Sequence, residues 1–289
     1  MNALDHVRAA AETAGIDATD MALLRDGTNA VVRLPGHIVA RVGASGSSDN
    51  AARQVQVARW LANSGITVVL PLAAPPQPTL VGDRPVTWWT ELPEHRHSSP
   101  AELGTALQAL HRLPPPDHPA LPRYDPFAGI GERIANARHL DPDDRHWLAD
   151  RLAQLRRAVD ALDLHHTCVL HGDAWQGNLV VPLAGGLPVL LDLDHVSLGH
   201  PAWDLAPLAA DHIDFARITD AEYQSFVTAY GGHDIVATPL FRTLADVEEL
   251  RWTAFVLGKR TSAEARQETQ HRIACLRGNV PRPWTWTAF

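Results

Sequence analysis

The chain has 289 residues, 45% hydrophobic and 20% charged, the composition of an ordinary globular protein with length for one large domain or two modest ones. Its formal charge of −8 excludes a broadly basic face, and so nucleic acid as the main partner, but leaves room for a local patch that holds a nucleotide. Two cysteines, Cys168 and Cys275, are too few for a disulfide framework and point to a reducing cytosol. No basic-then-apolar leader opens the chain, and no run approaches the roughly 18 apolar residues of a membrane span, so a cytoplasmic protein without membrane association is expected.

The first elements are mostly strands. Leu4, Val7, Ala11 and Ala14 lie near one face of a helix over residues 1–16. Apolar runs broken by "DGTN" and "LPGH" predict short strands at Leu23–Leu24, Ala30–Leu34 and Ile38–Val42. The loop "GASGSSDN" leads into a helix capped by Ser48 or Asp49, with Ala51, Val55, Ala58 and Leu61 at helical spacing. Three further strands are expected at "ITVVLPLA", "PTLVG" and "RPVTWWTEL".

Beyond residue 93 the pattern turns helical. Ser99, Pro100 and Glu102 form a capping box with proline at the first helical position, followed by an apolar stripe of Leu103, Ala106, Leu107 and Leu110. The proline-rich "LPPPDHPALPRYDPF" is a connector, and helices follow near 127–139 and 143–162. Short strands near 167–171, 178–182 and 188–193 precede helices at about 201–213, 220–230, 240–259 and 262–277, the second opened by a Thr219/Glu222 capping box. The aromatic tail "PRPWTWTAF" is expected to wrap the helical part through Trp284 and Trp286. The reading is an α+β chain of two lobes, residues 1–93 rich in strands and 94–289 mostly helical.

Two segments break the apolar logic. "VLHGDAWQGNLVV" places His171, Asp173 and Asn178 beside buried strands, and "VLLDLDHVSLGHPAWDLA" does the same with Asp192, Asp194 and Asp204. Polar groups there are costly unless paired or bound to a metal. Transfer of a γ-phosphoryl needs this set: a carboxylate for the attacking hydroxyl and hard oxygen donors for magnesium, which binds through one or two protein groups plus phosphates. Asp173, Asn178 and Asp192 supply those types.

"HGDAWQGN" followed by "LLDLDHVSLGHPAWDLA" resembles the paired signature of the aminoglycoside phosphotransferase family, relatives of choline and small-sugar kinases with a bilobal protein-kinase-like fold. The family pattern is an HGD loop, Asn five residues after the Asp, a metal-binding Asp on the next strand and a further Asp about twelve residues on; His171, Asp173, Asn178, Asp192 and Asp204 match it. The resemblance implies Asp173 as catalytic carboxylate, Asn178 and Asp192 as ligands of Mg2+, Asp204 as a brace of the catalytic loop, and His171 as a group that shapes that loop. Asp194 is left open between metal ligand and supporting group, and Trp175 between packing and acceptor contact. In the N-terminal lobe, Gly27, Thr28 and Asn29 sit in the nucleotide-positioning turn, and "TWWTEL" places Thr90, Glu91 and Leu92 at the hinge that would receive adenine.

One departure stands out. Relatives place a Lys on the third strand, paired with a Glu on the next helix; here those positions offer Arg41 and Gln54. Arg binds phosphate bidentately, so contact with the nucleotide survives, and Asp49 is an alternative acidic partner.

The expected activity is ATP- or GTP-dependent phosphorylation of a hydroxyl on a small polar molecule, with or without an amine, such as an aminoglycoside-like antibiotic or amino sugar. The nucleotide is expected between the lobes. Acids of the last helices, Asp211, Asp214, Glu248 and Glu249, are either acceptor contacts or solvated faces. Three other readings remain open: a dehalogenase-type phosphatase opened by "VLLDLDHV", a two-metal phosphohydrolase using His171, Asp173, Asp192, Asp194, His195 and His200, and a kinase-like protein that binds without turnover. The sequence leaves open the acceptor, ATP against GTP, monomer against homodimer, and a role in antibiotic resistance against one in metabolism.

Overall fold

A computed structural model describes residues 2–25, 29–258 and 263–287. Chain packing divides the protein into two compact units. The first comprises Met1–Ser99, Arg112–Pro122 and Gln176–Val196; the second comprises Pro100–His111, Arg123–Trp175 and Ser197–Phe289.

In the first unit, helix α1 (Ala3–Ala14) is closed at its start by a capping box in which Asn2 and Asp5 satisfy each other's backbone amides. Strands β1 (Ala22–Arg25), β2 (Ala30–Leu34), β3 (Ile38–Val42), β4 (Thr79–Val81) and β5 (Arg84–Thr90) form an antiparallel sheet in the order β1-β2-β3-β5-β4. Alternation puts Val32, Leu34, Ala40, Val42, Val86 and Trp88 on one face, where Val7, Ala10 and Ala11 of α1 close the core. Helix α2 (Ser48–Asn63) begins without a side-chain cap, contrary to the expected role of Ser48 or Asp49; the preceding Ser47 hydroxyl donates instead to Ala44 O.

The expected strand at "ITVVLPLA" is a correction. Pro71 lacks an N–H, so the segment makes no continuous ladder. It forms single bridges, Val68 with Leu190 and Pro71 with Trp89, and donates from Val69 to Leu190 O and from Leu72 to Trp88 O. The stretch thereby ties the large sheet to a second one, made by β6 (His95–His97), β8 (Leu179–Pro182) and β9 (Val189–Leu190). β6 fell outside the strands read from sequence, because "HRH" is wholly exposed and carries no apolar alternation.

The second unit packs α3 (Pro100–His111), α4 (Ile130–Asn136), α5 (Pro142–Asp160), α6 (Ala202–Ile213), α7 (Asp220–Tyr230), α8 (Phe241–Leu257) and α9 (Ala263–Leu276) around the antiparallel pair β7 (Cys168–Leu170) and β10 (Ser197–Gly199). Two close approaches need glycine. A Cβ on Gly104 of α3 would lie 2.6 Å from Phe226 O on α7, and one on Gly199 would lie 2.8 Å from Leu170 Cδ1 and 3.0 Å from Tyr124 Cβ. The Thr219/Glu222 capping box forms as expected. The tail also behaves as read: Trp284 and Trp286 stack at 5.5 Å and bury against Phe215 and Cys275.

Candidate active site

Within the first unit, strands β8 and β9 bring the expected metal ligands together along the backbone. Leu179 pairs with Leu190, and Leu191 N–H donates to Asn178 O at 2.8 Å, so Asn178 stands across from the residue before Asp192. Asn178 is buried and ends a 3-10 turn over Gln176–Asn178. Asp192 adopts a left-handed conformation, φ 53° and ψ 60°, which ends the strand earlier than the sequence suggested. Aspartate is among the few non-glycine residues that visit this region readily. A 3-10 turn over Leu193–His195 follows.

Arg41 supplies the charge these acids need. Its Nη2 donates to Asp192 Oδ1 at 3.0 Å and Asp194 Oδ2 at 2.8 Å, and its Nη1 donates to the buried Gln54 Oε1 at 3.3 Å. The acidic partner missing from α2 is thus provided by Asp192 and Asp194, and not by Asp49. Asn29 Nδ2 adds a bond to Asp194 Oδ2 at 3.3 Å. Burial raises the Asp194 carboxyl above the usual range, with Arg41 opposing and Asp192 reinforcing. Its Oδ1 is buried without a hydrogen-bond partner.

That orphaned oxygen and the donor chemistry test whether a magnesium ion fits. Among the described residues, no group of three or more His, Cys, Asp or Glu could hold a metal by itself. Two carboxylates and an amide, all hard oxygen donors, suit a cation that takes its remaining ligands from phosphate and water. The residues fit the ion. Antiparallel sheets with a two-residue β9 do not make the parallel α/β domain that the dehalogenase-type reading needs.

In the second unit, β7 leads into the His171–Asp173 loop, and Asp204 holds it. Asp204 sits in the first turn of α6, where the helix dipole favours an anion. It accepts from His171 N–H at 2.7 Å and Gly172 N–H at 2.8 Å, and His111 Nε2 lies 3.0 Å away. Burial works against its charge, yet the His111 bond, the nearby imidazoles and the Gly172 amide bring its carboxyl below the ordinary value. His171 is fully buried, and its Nδ1 accepts from Asp173 N–H at 3.3 Å, folding the loop back at the residue expected to carry the chemistry.

Further along α8, Arg251 Nη1 donates to both Glu248 oxygens, at 2.7 and 2.8 Å, and to the Tyr124 hydroxyl at 2.8 Å. Burial raises the Glu248 carboxyl and the Tyr124 phenol, and Asp173 and Asp204 push both in the same direction. Asp173 therefore lies within electrostatic reach of this buried cluster.

Other expected site residues are placed differently. Gly27 and Thr28 lie outside the described residues. At the hinge, Thr90 N–H donates to Leu70 O and Glu91 N–H to His37 O, so both amides are taken. The Glu91 carboxylate lies against His37 and Arg33, which leaves Leu92 as the hinge amide to consider for a base. Trp175 is 48% exposed and so is not a core packing residue. Asp211 is taken by Arg217 at 2.8 Å, and the fully buried Asp214 by Arg242 and Arg282. Glu249 pairs with the same two arginines. These acids are neither solvated faces nor open contacts; they anchor the helices and the tail.

Three contributors, one of them a pair of residues, escaped the sequence reading. His111 was legible, since it follows Leu103 and Leu107 on one stripe of α3 and breaks it with a ring that also meets Tyr230 Oη at 2.7 Å. Arg251 and Tyr124 are far apart in sequence and left no local signal. Arg53 is the third: its guanidinium donates to the backbone carbonyls of Asp194 and Val196.

The profile of the phosphotransferase enzyme family (APH) matches residues 22–278. No curated protein is significantly similar in sequence. Among solved structures, a choline/ethanolamine kinase family protein from Mesorhizobium loti is 20% identical, with 96% of this chain and 95% of that one aligned at a TM-score of 0.65. The GDP and kanamycin complex of APH(2")-IIIa is 15% identical over 94% and 98% of the two chains, TM-score 0.66. Amicoumacin kinase hAmiN, in complex with AMP-PNP, Ca2+ and Ami, is 13% identical over 90% and 89%, TM-score 0.65. These likenesses establish a protein-kinase-like α+β fold.

Proposed function

The chain belongs to the phosphotransferase enzyme family and is a kinase for a hydroxyl acceptor; from that premise we propose that it moves the γ-phosphoryl of ATP or GTP to a small, polar, amine-bearing molecule. The observation that carries this reading is that the chain holds, each in its own unit, a His171–Asp173 loop braced by Asp204 and an oxygen-donor set, Asn178, Asp192 and Asp194, countered by Arg41.

Asp173 takes the proton of the acceptor hydroxyl as its oxygen forms the new bond to phosphorus and the bond to the nucleoside diphosphate breaks. Asn178 and Asp192 would hold a magnesium ion, which supplies charge neutralisation at the phosphate oxygens when bound. Arg41, already on the carboxylate side of this set, turns its guanidinium to the phosphates. Asp204 and His171 keep the loop in its working shape. Leu92 would receive the base, and Asn29 would lie toward the phosphates.

An amine on the acceptor is the choice suggested by the aminoglycoside phosphotransferase resemblance of the "HGDAWQGN" segment. Kanamycin bound to APH(2")-IIIa supports the same class. No helix among the described residues is long and apolar enough to cross a membrane. The test is a coupled release assay for ADP and GDP over aminoglycosides, amino sugars, choline and peptide antibiotics. Each hit is checked by mass spectrometry for one added phosphate. Nucleotide turnover without phosphorylated product from any hydroxyl compound would end the proposal.

A further inference from the structure

The turn that carries Asp192 and Asp194 is held from outside by a residue with no place in the family signature. Helix α2 places Arg53 beside Gln54. Gln54 turns to Arg41, whereas Arg53 reaches the other side of the turn: Nη1 to Val196 O at 3.2 Å and Nη2 to Asp194 O at 3.1 Å. Asn50, one helical turn earlier, accepts from the same Nη2 at 2.6 Å and fixes the guanidinium. The two arginines divide the work. Arg41 meets the carboxylates and Gln54, and among the described residues Arg53 donates to main-chain carbonyls and Asn50.

We propose that Arg53 is a positioning residue for metal binding: its fork across the Asp194 and Val196 carbonyls fixes the left-handed turn that presents Asp192 and Asp194. This rests on the phosphotransferase reading of those two acids. Asp192 visits the left-handed region readily, and partners for the carbonyls of the 3-10 turn that follows set where that turn lies. Two carbonyls gripped by one planar group set both the position and the tilt of the turn, which a single-point ammonium cannot do.

The probe is Mn2+ with AMP-PNP, followed by electron paramagnetic resonance on Arg53→Gln, Arg53→Lys and Asn50→Ala proteins. Arg53→Gln is expected to weaken Mn2+ binding about tenfold or more, the scale of residues that orient metal ligands. Arg53→Lys, charge kept but fork lost, should recover little, and Asn50→Ala should fall between Arg53→Gln and wild type. Affinity for a fluorescent ADP analogue in EDTA should stay within about twofold of wild type, a separation that a merely loosened fold would not give. Asp192→Ala is the companion. If it abolishes Mn2+ binding while all three variants bind normally, the positioning role is overturned and the kinase reading stands. If Asp192→Ala is also silent, both fail. Parallel losses of metal-free nucleotide binding and thermal stability would likewise overturn the role of Arg53. Should Arg53→Gln not fold, Arg53→Lys and Asn50→Ala decide the question.

Discussion

Arg41 Nη2 donates at once to Asp192 Oδ1 and Asp194 Oδ2, at 3.0 and 2.8 Å, so one nitrogen joins the two acids of the "DLD" segment. A strand-borne cation in this position offsets repulsion between the carboxylates, and under the proposed function it would also meet phosphate. Arg41→Met should raise the dissociation constant of Mg·AMP-PNP about tenfold or more, since a charge-assisted bond is worth ~1.5–3 kcal/mol. Arg41→Lys should keep the charge but lose the fork to Gln54 and Asp192, and recover only part. Calorimetric titration reads both; unchanged affinity in Arg41→Met would remove Arg41 from the nucleotide site.

Asp173 is tested by separating binding from chemistry. Asp173→Asn is nearly isosteric, and Asp173 N–H would still reach His171 Nδ1. Transfer should fall by roughly 10²–10⁴, the usual worth of a positioned acid or base, while nucleotide affinity stays within about twofold. Single-turnover kinetics with radiolabelled nucleotide make the measurement. A variant that transfers phosphate at near the parent rate would show that some other group handles the proton.

The candidate site was legible where its residues are local. The HGD loop, Asn178, Asp192 and Asp204 sit at fixed spacings because strand, turn and helix geometry set their intervals. The partner of Arg41 was not: Gln54 occupies the position where an acid was sought, and the charge comes from residues about 150 positions away. The same holds for Arg53 and for Arg251 with Tyr124, whose bonds join distant elements. Strand positions failed where proline overrode an apolar run, as at Pro71. The acids of the last helices misled because composition alone cannot reveal that arginines already hold them.

Asp204 ties structure to the loop. Asp204→Ala would leave the His171 and Gly172 amides buried without an acceptor, at about 1–3 kcal/mol each, and His111 without its partner. Thermal unfolding should drop by several degrees, given roughly 2–4 °C per kcal/mol in chains of this scale. The pH sign follows from its lowered carboxyl: stability is present above the unfolded value of 3.8 and is lost as pH falls through the lower folded value. Calorimetric scans across the acid range should show this slope in the parent and not in Asp204→Ala. Equal melting temperatures would refute the bracing role.

His200 offers a pH test one turn before Asp204. Burial lowers its pKa below 6.5, and His166 and His233 act in the same direction; the His166 ring lies 6.2 Å away. The neutral form is also needed locally, because Nδ1 accepts from Ala202 N–H at 3.2 Å where α6 begins. With the folded pKa depressed, stability is complete above pH 6.5 and declines as pH falls toward the folded value, since the unfolded chain takes up the proton first. Protonation breaks the Ala202 bond and loosens the turn that presents Asp204 to the catalytic loop, so kcat should fall over the same window. His200→Asn retains an acceptor without a titrating ring and should flatten both the urea-midpoint profile and the kcat profile below pH 6.5. If the variant keeps the parent's acid slope in both, the decline belongs to another group and His200 is not the acid-sensitive point of α6.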